Sequence, residues 1–140
     1  MKKIIAIILV TLACVMTLAS CTLTAPDAVK LAEKLDDAGY EVVLTVDKDA
    51  IDKSGITLEA RSEYIEQILT VVSADEEDPK SGMFIYYSNT ESAKAAVDVF
   101  ARLLVEAEDY ESDEVISQVV KSKGKIVYIG DEECWNEAFK

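Results

Sequence analysis

The chain has no histidine, two prolines, five glycines and one tryptophan in 140 residues. The missing histidine removes the side chain most used for proton transfer near neutral pH, and with it His-based triads and His-ligated metal centres. There is no glycine-rich phosphate loop, no G-x-S-x-G elbow and no C-x-x-C pair. Carboxylate pairs are abundant, but an acid-rich surface makes them by chance, and none stands out as an acid and base. No catalytic residue, metal ligand or cofactor is assigned, and an enzyme is not expected. Basic residues are also scarce. Fourteen Lys and Arg face 27 Asp and Glu, a net charge of −13. That balance repels nucleic acid, which is excluded as a partner. The bland meaning of the charge is solubility; attraction of cations or basic peptides is the sharper one.

Long apolar runs are confined to the start. Lys2 and Lys3 precede an apolar stretch over residues 4–18, and small residues follow it. A basic start, a short apolar core and small residues before a cut describe a secretory signal peptide. Fifteen apolar positions are short of the roughly 20 that a membrane-spanning helix needs. The stretch ends in Leu18-Ala19-Ser20-Cys21.

This tetrapeptide resembles the lipobox of bacterial lipoproteins. The resemblance covers residues 1–21 and says nothing about the fold that follows. It implies cleavage between Ser20 and Cys21, a diacylglyceryl group on the Cys21 thiol, and acylation of the new amino terminus. Two or more acyl chains anchor a protein stably where one does so only reversibly. The expected location is therefore the extracytoplasmic face of the cell membrane, with the membrane reached through the lipid on Cys21. An ordinary secretory peptide or an uncleaved anchor is the alternative, and either also places the domain outside the cytoplasm.

Removing residues 1–20 takes two lysines and no acid, so 12 basic residues remain against 27 acidic ones, a charge of −15. Residues 21–25 form a short tether and residues 26–140 a single acidic domain, long enough for one modest core. Of Cys14, Cys21 and Cys134, only the last would keep a free thiol. A lone Cys in a helical pattern is usually a small buried hydrophobe, and a nucleophilic role would require a nearby base.

The domain begins as a helix. Thr24 can cap it, Pro26 suits its first turn, and Ala28, Leu31, Ala32 and Leu35 form one stripe. Gly39 ends it in a left-handed conformation. Residues 40–46 alternate as a strand. Residues 47–55 start like an EF-hand loop with Asp47 and Asp49. Ile51 then stands where an oxygen ligand is needed, Asp52 where the turn needs Gly, and Leu58 where the bidentate Glu belongs. A short helix or acidic turn is expected there. Residues 56–62 are ambiguous. Residues 64–74 read as a long strand, although 56–68 also fit a helical period. Asp75, Glu76, Glu77 and Asp78 open a polar turn and read as a solvated run, not a cation site.

Residues 83–88 form the next strand, paired antiparallel with the one before. Ser88, Asn89 and Thr90 offer cap oxygens for the best helix of the chain, whose stripe runs from Ala93 to Leu104. Residues 106–114 are a polar connection. Residues 115–121 and 125–129 are strands joined by a hairpin at Ser122-Lys123-Gly124. Asp131 caps a final helix, and Trp135 and Phe139, i and i+4, pack it onto the body.

The expected fold is α+β: a mainly antiparallel sheet of four or five strands with amphipathic helices packed on one face. The expected function is that of a lipid-anchored, non-catalytic interaction module at the cell envelope, with an envelope protein as its partner. The alternative is a lipoprotein that binds a small ligand or cation.

Overall fold

The computed structural model describes residues 26–56, 58–108 and 119–140. Helix α1 (Pro26–Asp37) buries Ala28, Leu31 and Leu35. Its last turn closes with Ala38 N donating to Lys34 O at 3.1 Å, and Gly39 follows at φ +93°. That left-handed value suits glycine, which has no Cβ to clash. Strand β1 (Tyr40–Thr45) comes next, then a one-turn helix α2 (Lys48–Asp52). The Asp47 carboxylate accepts from Ala50 N and caps α2, so the failed calcium loop is a capped helix. Two 3-10 turns, Leu58–Ala60 and Ser62–Tyr64, settle the ambiguous stretch as neither strand nor α-helix.

Strands β2 (Ile65–Ser73) and β3 (Ser81–Tyr87) form the central hairpin. Helix α3 (Thr90–Glu108) follows, with Asn89 as its cap: the Asn89 side chain accepts from Ser92 N at 2.7 Å. It runs beyond Leu104, into the expected polar connection. Strand β4 (Val120–Lys123), strand β5 (Ile126–Gly130) and helix α4 (Glu132–Ala138) complete the chain. Gly124 turns the last hairpin at φ +58°. Of the strand expected over 115–121, only Val120 and Lys121 lie in β4; residues 115–118 fall outside the described residues.

The sheet has five strands in the order β1-β2-β3-β5-β4, and every neighbouring pair is antiparallel. The α+β class and the antiparallel sheet are as expected. Since β5 is antiparallel to both β3 and β4, those two run parallel to each other, and α3 is the crossover between them.

The helices lie on both faces of the sheet, not on one. On the first face, α3 sets Ala93, Ala96 and Phe100 over Ile68, Ile85 and Val127. On the second, α1 and α4 set Leu31, Leu35 and Cys134 over Leu69, Phe84 and Tyr128. The cause is in the central strands. Residues 83–87 are apolar without interruption, so both faces of β3 must leave water. Each large side chain so buried contributes about 1.5–3 kcal/mol.

Tyr128 lies close against Gly82, which pairs with Gly130 on the next strand. A Cβ on Gly82 would occupy the place of the Tyr128 ring. The Tyr128 hydroxyl donates to Asp131 O at 2.6 Å. The Asp131 carboxylate does not cap α4. It accepts from Ser81 N at 2.8 Å, while Asp131 N donates to Ser81 O at 2.9 Å, and together these bonds tie the start of α4 to β3.

A lysine-walled groove

On the second face, α1 and α4 do not meet along their whole length. A groove of about 600 Å³ opens between them and the β4–β5 hairpin. Its size falls within the range of roughly 300–1,000 Å³ typical of small-molecule sites. Leu31, Tyr86, Ile126, Ala138 and Phe139 make its mostly apolar lining.

Four lysines stand around that lining. Lys30 and Lys34, at i and i+4, project from one side of α1. Lys123 and Lys125 flank Gly124 at the tip of the hairpin opposite. The turn is held in place because Tyr87 N donates to Lys125 O at 2.9 Å. Like charges gathered around one groove repel one another. Among the described residues, ion pairs involve Lys48, Lys80, Arg102, Lys121 and Lys140, and none involves a groove lysine. Outside the groove, Lys53, Arg61 and Lys94 likewise have no ion pair among the described residues, so what sets the groove lysines apart is their clustering.

Two groove lysines have other work. Lys34 Nζ donates to Ala138 O at 3.1 Å and to Lys140 O at 3.4 Å, fastening α1 to the end of α4. Lys123 Nζ sits 4.5 Å from the centroid of the Phe139 ring, a cation–π contact. Among the described residues, Lys30 and Lys125 have neither a hydrogen-bond partner nor an ion-pair partner for their side chains. Glu66 is, among the described residues, the one acid of the lining. It lies at an irregularity in β2, where the pairing shifts between Ile65 and Gln67. Such an interruption re-aims a side chain that a regular strand would point elsewhere.

Behind the groove lies an aromatic stack. Phe84 and Tyr128 have ring centroids 4.6 Å apart, and Trp135 and Phe139 are at 4.5 Å. The half-buried Trp135 packs α4 onto the sheet, as its spacing from Phe139 implies. Cys134 is fully buried beneath the same helix. Burial pushes its thiol up to about 11, so it is neutral and a poor nucleophile at ordinary pH.

The remaining expectations have simple outcomes. The acidic turn 75–78 is exposed; Asp75 accepts from Glu77 N at 3.0 Å, and Asp78 pairs with Lys80. Among the described residues, no group of three or more acidic or sulfur ligands could hold a metal ion. No carboxylate with a described side chain is buried. None of the described helices is long and apolar enough to cross a membrane. Ser20 and Cys21, the expected cleavage and lipidation residues, lie outside the described residues.

Comparison with protein-family models, with curated proteins and with solved structures found no match.

The groove was not singled out in the sequence. Its only local traces are Lys30 and Lys34 at helical spacing and the run Lys121-Ser122-Lys123-Gly124-Lys125 in a base-poor chain. The two segments lie about ninety residues apart in sequence, and only the fold brings them together.

Proposed function

We propose that this protein is a non-catalytic binding module, held at the extracytoplasmic face of the cell membrane by a lipid on Cys21, and that the lysine-walled groove is its binding site. The observation that carries the binding site is the set of four lysines around an apolar floor, with no carboxylate paired to any of them among the described residues. A site with an apolar lining and a few convergent charges is built to hold something. Among the described residues, the nearby thiol is buried and neutral and the groove has a single carboxylate, which supports binding over catalysis. The anchor rests on the lipobox-like Leu18-Ala19-Ser20-Cys21.

This reading moves the emphasis from an envelope protein to a smaller ligand, since a groove of this size suits a small molecule better than a flat protein surface. Crosslinking in intact cells separates the two. Wild type, Cys21→Ala and Lys30→Glu/Lys125→Glu are compared. One envelope protein recovered with wild type and lost with the lysine variant makes the groove a protein-docking site. No protein in any sample leaves the small ligand. Retention of Cys21→Ala by the membrane removes the lipid anchor from the proposal.

A further inference from the structure

We infer that the groove takes an amphipathic anion, with one carboxylate or phosphate head on an apolar aliphatic or aromatic body. The inference rests on the groove being the binding site and adds the chemistry of what fills it. Lys30 and Lys125 stand on opposite walls, and among the described residues neither has a partner for its charge. An anion placed between them would relieve that uncompensated charge. Lys34 and Lys123 are already fastened, to Ala138 O and over the Phe139 ring, and they shape the walls while adding positive potential.

The floor decides against a bare anion. Tyr86 carries a hydroxyl, but Leu31, Ile126, Ala138 and Phe139 offer no hydrogen-bonding side chain, and an inorganic ion would leave them in water. An apolar body covers them. Glu66 disfavours a second negative charge beside it, so one head is preferred to two. The acidic remainder of the chain works against polyanions, whose length would carry charge beyond the lysines. Two sources share this chemistry: a free organic acid, and an anionic phospholipid of the membrane itself.

Trp135 is the sole tryptophan, and its ring lies 4.5 Å from that of Phe139 in the lining. Its emission therefore reports on the groove. The test uses the full chain purified from membranes and placed in phosphatidylcholine nanodiscs, titrated with octanoate, octyl phosphate, octyltrimethylammonium and inorganic phosphate. The two anionic amphiphiles should change the emission saturably, with inorganic phosphate at least a hundredfold weaker and the cation without saturable effect. Lys30→Gln/Lys125→Gln should raise the Kd for octanoate tenfold or more with an unchanged far-UV spectrum. Phosphatidylglycerol added to the nanodisc identifies the source: competition with octanoate points to the lipid, and its absence to a free acid, and both keep the inference. Equal response to the cation, phosphate binding as tightly as octanoate, or an unchanged Kd in the double variant overturns it. If every amphiphile were silent while wild type still crosslinked an envelope protein through the groove lysines, the inference would fall and the binding-module reading would stand.

Discussion

The two faces of this sheet are built from the same strands and differ in how they are covered. The first lies under one helix of 19 residues, α3, with Ile51 of the one-turn α2 and Ala60 of the first 3-10 turn beside it, and its core is mostly aliphatic. The second lies under two short helices, of 12 and 7 residues, and its core mixes aliphatic side chains with the aromatic Phe84, Tyr86 and Tyr128. Among the described residues, the clefts beside α3 and α2 are small, of about 210 and 340 Å³. The groove of about 600 Å³ lies on the other face, between α1, the end of α4 and the β4–β5 hairpin. The face with two short helices is thus the one that leaves more room for a ligand.

The contrast can be tested at two adjacent residues of β3 that point to opposite sides. Ile85→Ala and Phe84→Ala should both be destabilising, by about 2–5 and 3–5 kcal/mol respectively, because each deletes a fully buried side chain and leaves a cavity. Denaturant unfolding measures both. Only Phe84→Ala should also disturb the groove, since its ring lies 6.2 Å from Phe139 and 6.5 Å from Trp135. A shifted Trp135 emission in Ile85→Ala, with none in Phe84→Ala, would show that the faces are not independent.

A smaller effect is expected at the glycine pair. Gly82→Ala places a methyl group where the Tyr128 ring lies. Overpacking of this kind costs about 1–3 kcal/mol. The added strain should loosen α4 through the Tyr128–Asp131 hydrogen bond and raise the exposure of Trp135 to quenchers. Gly124→Ala at the exposed hairpin meets no neighbour and should cost about 1 kcal/mol through its left-handed backbone alone.

What could be read from the sequence follows the range of each cause. Gly39 and Gly124 act on their own turn, so spacing disclosed them, whereas Asp47 reads in the sequence only as the start of a failed calcium loop and its capping of α2 came from the structure. The unbroken apolar run of β3 already implied burial on both faces, and the one-sided arrangement underweighted it. Asp131 has the chemistry of an N-cap, but the amide of Ser81, fifty residues away, offers its carboxylate a better bond. The groove is the extreme case. Lys30 and Lys125 look like ordinary solvated lysines until the fold sets them across from each other. Glu66 faces it only because the pairing of β2 is irregular, which no local signal announces.

Alkaline conditions should weaken the second face first, through Cys134, before the buried tyrosines of either face respond. Burial raises the Cys134 thiol to about 11 and pushes the Tyr128 hydroxyl well above its ordinary value near 10. For groups whose folded pKa is raised, the stabilising contribution is complete below the unfolded pKa and disappears as pH climbs through the folded one. The Cys134 share is therefore intact below about pH 9 and lost between about pH 9 and about 11. Thermal midpoints should fall across that window, and Cys134→Ser should flatten the part that belongs to the thiol. At pH 8 the native protein should react with a thiol reagent at Cys134 far more slowly than the protein in urea. Equal rates would mean that α4 does not cover the thiol.

The smallest effect on stability is expected where the largest effect on binding is. Lys30 and Lys125 are exposed and, among the described residues, have no side-chain partner to lose. Replacing both with Gln should change the unfolding free energy by no more than about 0.5 kcal/mol, as for surface residues without special contacts. Relief of repulsion among the groove lysines would give a slight gain, and the greater net negative charge of an already acidic chain a slight loss. Lys34→Gln is the counterpart, because it removes the bonds to Ala138 O and Lys140 O and should cost about 0.5–1.5 kcal/mol. Urea unfolding of the two variants at low and high salt separates the roles. A gain for Lys30→Gln/Lys125→Gln that fades with salt marks mutual repulsion within the lysine cluster. A loss as large as that of Lys34→Gln would instead make these lysines part of the scaffold.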